Sequence, residues 1–150
     1  MLTINLVCVG SLKEKFWQEA DKEYRKRLSR FCTFNVYEVD EAVGEVDKIL
    51  QTEGKNILSH LKGKPYLLAI DGKEFSSEEL ASELKNVQLE NSQITFVIGS
   101  SHGVSNEVKS KISKHISFGK ATYPHNLARI ILLEQVYRAF MINSGAKYHK

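Results

Sequence analysis

A helix that is apolar on every side must be covered on every side, and the last third of this chain contains one. From Leu127 onward the apolar residues are Leu127, Ala128, Ile130, Ile131, Leu132, Leu133, Val136, Tyr137, Ala139, Phe140, Met141 and Ile142. They wrap most of a helical circumference instead of forming one stripe. Pro124 at or near the first helical position pre-sets the backbone angle of the opening turn, and the Thr122 hydroxyl just upstream is the expected cap for its free amides. One face of such a helix packs on the chain's own sheet, and the simplest cover for the other is a second copy of the same protein. The polar interruptions are His125, Asn126, Arg129, Glu134, Gln135 and Arg138. Arg129 and Arg138 are separated by about two and a half helical turns, so they project from opposite sides. Either both make ordinary ion pairs, for instance with Glu134, or one reaches a site in its own subunit and the other reaches a partner or its substrate.

Upstream, strand and helix patterns alternate. Leu2 to Val9 reads as a buried strand, followed after Gly10 and Ser11 by a helix from about Lys13 to Arg30. That helix has an apolar stripe of Phe16, Trp17, Ala20, Tyr24 and Leu28 and a mixed-charge outer face that leans basic. Thr33 to Val39 alternates in polarity as an edge strand does. An acidic loop from Asp40 to Asp47 leads to a helix with Val46, Ile49, Leu50, Ile57, Leu58 and Leu61 inward. Tyr66 to Ile70 is continuously apolar, the pattern of a central strand, and Asp71-Gly72 is expected to turn. Ser76 and Glu79 form a capping-box pattern ahead of a helix with Leu80, Ala81, Leu84 and Val87 inward. Gln93 to Ile98 is the next central strand and ends in Gly99-Ser100-Ser101-His102-Gly103. A short helix from about Ser105 to Lys114 leads to a last strand, His115 to Phe118. Five strands alternating with five helices predict an α/β domain with a mostly parallel sheet and helices on both faces. Ligands of such sheets sit beyond the carboxyl ends of the strands, so the loops after Ile70, Ile98 and Phe118 enclose one pocket if their strands are neighbours.

Length and composition limit what this domain can be. One domain spanning 1–150 is large enough to bury a core. Hydrophobic content of 42% and charged content of 26% are those of an ordinary globular protein, not of a disordered or membrane chain. The N-terminus has no basic segment ahead of its apolar run and no cleavage pattern after it, which reads as cytoplasmic. Cys8 and Cys32 are expected as reduced core residues. The five histidines show no ligand spacing with them, so no metal site is expected. The net charge of +3 is compatible with an RNA partner.

No GxGxxG follows a strand, and neither a GxxxxGK[ST] phosphate cradle nor a GxSxG elbow is present. On these residues alone Gly99 and Gly103 are better explained by a tight turn before a helix than by a ligand loop. A non-catalytic RNA-binding or ribosome-assembly module and a small flavodoxin-like nucleotide binder therefore stand beside an enzyme.

The chain also resembles a known family. Gly10-Ser11-Leu12-Lys13-Glu14-Lys15-Phe16-Trp17, Glu23-Tyr24-Arg25-Lys26-Arg27-Leu28, Glu53-Gly54 with Ile57-Leu58, Leu68-Ala69-Ile70-Asp71-Gly72-Lys73, Phe96-Val97-Ile98-Gly99, Tyr123-Pro124-His125 with Ala128-Arg129, Glu134-Gln135-Val136-Tyr137-Arg138-Ala139 and the terminal Tyr148-His149-Lys150 together resemble the RlmH family. Its members are large-subunit ribosomal RNA pseudouridine methyltransferases of the SPOUT superfamily, and the likeness spans the whole chain. The resemblance implies a C-terminal segment threaded into a deep trefoil knot and a homodimer with the site at the subunit interface. It implies S-adenosylmethionine as cofactor, held by Leu68, Gly99, Phe118, Gly119, Lys120, Ala121, Thr122 and Tyr123, the same three loops singled out by topology. It implies methylation of N3 of a pseudouridine in the helix 69 loop of 23S ribosomal RNA, on the ribosome. A SPOUT enzyme acting on transfer RNA is the alternative. The residues it offers for the chemistry are His125, Arg129, Arg138, Tyr148 and His149. In one departure, the family pattern has two glycines where this chain has Gly99-Ser100.

Overall fold

The strands with the longest apolar runs take the centre of the sheet, and the half-polar ones take its edges. In the computed structural model, which describes residues 1–150, β1 (Thr3–Val9), β2 (Thr33–Val39), β3 (Lys64–Glu74), β4 (Gln93–Ile98) and β5 (Lys114–Ser117) form one sheet in the order β2-β1-β4-β3-β5. Every pairing is parallel. β1 and β4 are buried almost throughout, and β2, half-exposed along its length, lies at one edge as expected.

Helices α1 (Lys15–Leu28), α2 (Val46–Ser59), α3 (Ser77–Val87), α4 (Asn106–Lys111) and α5 (His125–Asn143) cover both faces. Alternation along the strands sends Ile4, Leu6, Ile94, Phe96, Tyr66 and Ile116 to the face under α1, α3 and α5, where they meet Leu28, Leu84, Leu132, Leu133 and Val136. Val7, Val9, Leu67 and Val97 point the other way, to Ile57 of α2 and Val108 of α4. The Ser76 and Glu79 capping box forms as predicted, with Ser76 Oγ accepting from the Glu79 amide at 3.0 Å and Glu79 Oε1 from the Ser76 amide at 2.9 Å.

Four expectations are corrected. Asp71-Gly72 does not end β3. Residues 69–72 bulge out of register and the strand resumes, so that Ile116 of β5 pairs with both Leu68 and Lys73. Gly72 lies so close to β5 that a Cβ there would stand 2.7 Å from the His115 carbonyl carbon, which makes the bulge a glycine-only approach. On α1, the stripe fades at its start: Phe16 is 62% exposed, while Asp21 is buried. On α2, Val46 is exposed and Glu53 takes an inward place. At α5, Pro124 itself occupies the cap position and no side chain, Thr122 included, caps the amides. α5 is covered largely by its own chain, since its buried residues pack with those of α1 and α3 and no residue from His125 to Ile142 is fully exposed. Leu127, Ile130, Ile131, Tyr137, Met141 and Ile142 are only half-buried by these contacts.

Cys8 and Cys32 are buried and unpaired. Burial pushes the Cys8 thiol up to about 11, against a downward pull from Arg129, and burial pushes Cys32 up to about 12. The folded chain thus holds both protons longer than an unfolded one, whose thiols titrate at about 8.5. This contribution to stability is complete below about pH 8.5 and is lost as pH rises through the folded values. Urea unfolding is therefore expected to show lower stability at about pH 10 than at about pH 8, with both thiols inert to a disulfide reagent until the chain unfolds. Rapid thiol labelling of the folded protein would contradict this.

Candidate functional site

The carboxyl ends of β4, β3 and β5 lie side by side, because these strands are consecutive in the sheet. The turns that leave them are linked by a residue that sequence reasoning passed over. Ser117, buried at the end of β5, donates from Oγ toward the Ile70 carbonyl at 3.1 Å and the Gly119 carbonyl at 2.9 Å, and accepts from the Gly119 amide at 3.1 Å. One hydroxyl thus fastens the bulge in β3 to the turn after β5. After β4, a Cβ on Gly99 would sit 2.6 Å from the Gly103 carbonyl oxygen, so only glycine fits. The Gly103 amide returns to the Ser100 carbonyl at 2.8 Å. Ser100 Oγ accepts from the His102 amide at 3.3 Å, so the side chain that departs from the family's glycine is engaged in its own turn.

Between the start of α3, the end of β5 and α5 lies a cleft of about 660 Å³. Phe118, Gly119 and Tyr123 line it together with Ile131, Gln135 and the segment Glu74 to Ser77. Lys120, Ala121 and Thr122 are exposed beside it. Leu68 and Gly99 do not line the cleft. Leu68 packs into the core under α3 and α5, and the Gly99 turn follows β4, on the far side of β3 from β5. Of the three turns expected from topology to share a pocket, the segment after β3 and the turn after β5 line this cleft and the Gly99 turn does not. Ser77 Oγ donates to Gln135 Oε1 at 2.7 Å, closing the α3–α5 side of the cleft.

The two arginines of α5 do project to different places, as their spacing requires. Arg129 is 5% exposed and is held by Asp21 of α1 at 2.9 Å and Glu38 of β2 at 2.8 Å, with Cys8 Sγ 3.5 Å away. Burial works against its charge, yet the facing carboxylates and thiol hold its pKa above the usual arginine range. A guanidinium committed in this way fixes the start of α5 against α1 and β2. Arg138 bonds Glu134 at 2.7 Å, its guanidinium carbon lies 4.6 Å from the Tyr148 ring centre, and Nη1 is 3.2 Å from His149 Nδ1. Tyr148 donates to Glu134 at 2.9 Å, and His149 Nε2 is 2.6 Å from Glu78 of α3. Burial and the Glu134 carboxylate both raise the Tyr148 pKa, while the His149 bond lowers that of Glu78. The terminal segment therefore docks on its own α5 and α3. His125 is half-buried at the first helical position, directly after the Phe118–Tyr123 loop. No cluster of three or more His, Cys, Asp or Glu side chains is placed to hold a metal ion, and no helix is long and apolar enough to cross a membrane.

Residues 2–149 match the family model described as "Predicted SPOUT methyltransferase". The chain is 48% identical to the ribosomal RNA large subunit methyltransferase H of Lactobacillus helveticus, over 99% of this chain and 100% of that protein. It is 45% identical to the protein of the same name from Clostridium novyi, with the same coverage. Among solved structures, a probable methylase family protein from Haemophilus influenzae superposes with a TM-score of 0.59 at 15% identity, over 98% of this chain and 70% of that one. That likeness concerns the fold alone.

The contrast between the arginines is measurable. Arg129→Met leaves the buried Asp21 with only the exposed Arg25 at 3.6 Å and is expected to cost on the order of 3 kcal/mol in denaturant unfolding. Arg138→Met, at a half-exposed pair, is expected to cost under about 1 kcal/mol. Equal losses would contradict the buried role given to Arg129.

Proposed function

Because the chain belongs to the SPOUT methyltransferase family, and within it to the ribosomal RNA large subunit methyltransferase H group, we propose that it methylates large-subunit ribosomal RNA with S-adenosylmethionine as donor. The target we propose is N3 of a pseudouridine in the helix 69 loop, on the ribosome and in the cytoplasm. The whole chain serves as one methyltransferase domain, and its C-terminal segment is threaded in the family's trefoil knot.

The observation that carries this reading is the cleft at the carboxyl edge of the sheet. Its walls suit an adenosyl group: Phe118, Tyr123 and Ile131 offer apolar surface among the polar Ser76, Ser77 and Gln135. Such sites hold flat, weakly polar rings with a few fixed polar contacts. Glu74 at the same cleft complements a positively charged donor. In this reading Phe118, Gly119, Lys120, Ala121, Thr122 and Tyr123 hold the cofactor directly, with Leu68 and the Gly99 turn supporting the wall beyond β3.

When bound, S-adenosylmethionine supplies an electrophilic methyl group. The protein's task is then to hold N3 in line with that methyl and to accept the N3 proton as the new carbon–nitrogen bond forms and the carbon–sulfur bond breaks. His125, at the junction of the cofactor loop and α5, is the proposed proton acceptor. Arg138, Tyr148 and His149 are proposed to complete the RNA site of a second subunit in a homodimer. Their mutual bonds, and those to Glu134 and Glu78, hold them as one unit for that purpose.

Incubating ribosomes and naked large-subunit RNA with methyl-labelled donor tests the reading. The expected result is label in large-subunit RNA, faster on ribosomes, and a loss of ~100-fold or more for His125→Ala. A chain that binds ribosomes but retains no donor would be a binding module instead. Wild-type transfer by His125→Ala would remove that residue from the chemistry.

A further inference from the structure

Phe16 is the large hydrophobic side chain of α1 that packing leaves exposed. It is 62% exposed, and its ring centre lies 5.0 Å from that of Trp17 at an interplanar angle of 53°. Exposing an aromatic ring forgoes the apolar burial that normally justifies its size, so the pair calls for an occupant.

Its location points to the site. α1 begins directly after the turn that leaves β1, so Phe16 and Trp17 stand at the same carboxyl edge of the parallel sheet as the cofactor loops. The partners of α1 and α5 advance together along both helices. Asp21 pairs with Arg129, and Tyr24 meets Tyr137 edge to face with ring centres 6.4 Å apart. The two helices therefore run in the same direction. One turn back from the buried ion pair, α1 presents Trp17 and α5 presents His125.

We infer that Phe16 and Trp17 form a stacking platform for an unpaired nucleotide of the RNA substrate, next to the nucleotide that is methylated. Loops of RNA are read largely by stacking of splayed bases on aromatic side chains, and stacking tolerates any base. Lys13 and Lys15, both exposed, flank Phe16 on its N-terminal side and suit the phosphates that accompany a stacked base. A second copy of the chain is the less suitable occupant, because the pair is ringed by exposed Lys13, Glu14, Lys15 and Glu19, whereas the core of a protein interface is depleted in charge.

This inference rests on the proposed RNA substrate, and its test separates the two. Trp17 is the only tryptophan in the chain, so its fluorescence reports the platform without ambiguity. A stem-loop RNA with an unpaired loop, titrated into the full-length protein, is expected to quench Trp17, whereas a blunt duplex of the same length leaves it bright. Phe16→Ala is expected to raise the KM for ribosomes by ~10-fold, as loss of one stacked base does, with donor affinity and sedimentation mass unchanged. Phe16→Tyr is expected to restore the wild-type KM. Unaltered KM with an unquenched Trp17 would overturn the inference, and a fall in sedimentation mass for Phe16→Ala would reassign the pair to contact between copies. If RNA quenches Trp17 in a wild-type protein that transfers no methyl group, the platform stands and the catalytic reading falls. Methyl transfer that ignores both Phe16 variants does the reverse.

Discussion

The contact on which the rest of this structure depends is the ion cluster that the buried Arg129 makes with the buried Asp21 and with Glu38 at the surface. A guanidinium taken out of water is tolerated only where carboxylates meet it with good geometry, and here they come from α1 and from β2, at the opposite edge of the sheet from β5. The start of α5 is therefore fixed against elements far away in sequence. Because the Phe118–Tyr123 loop runs directly into α5, fixing the helix also fixes where that loop ends. Apolar packing alone would not do this. A helix with apolar residues on all sides slides and rotates with little change in buried area, whereas a buried charge with two partners has one position.

The second constraint is the parallel sheet. With every strand pointing the same way, all the turns that can carry chemistry emerge at one edge, and neighbouring strands bring their turns together. Ser117 then converts proximity into a fixed spacing by bonding both the β3 bulge and the turn after β5. The cleft beside it combines backbone groups and apolar side chains, as an adenosyl-binding wall requires, and the strand-end glycines permit the close approach of backbone that such a wall needs.

Much of this was legible in the residues. Continuous apolar runs marked β1, β3 and β4 as interior strands, alternation marked β2 as an edge, and the Ser76–Glu79 pattern marked the start of α3 to the residue. What was not legible depends on contacts between distant parts of the chain. Asp21 reads as a surface charge on α1 until Arg129 is placed opposite it. Asp71-Gly72 has the chemistry of a turn, but β5 pairs again beyond it and makes it a bulge. Nothing local in Tyr148 and His149 announces that Glu134 and Glu78 hold them against α5 and α3. Ser117 attracted no notice because a lone serine at a strand end carries no pattern. A hint of the Asp21 contact was available, since an acidic residue on the apolar side of α1 needs a cation somewhere.

The central claim is that backbone turns at one edge of the sheet, fixed by Ser117 and by the Arg129 cluster, hold the methyl donor together. Amide hydrogen exchange with and without S-adenosylmethionine tests it most directly. The account predicts slowed exchange confined to residues 68–76, 99–103 and 117–123 and the first turn of α5. Protection centred on α2 and α4, or no change at saturating donor, would contradict it.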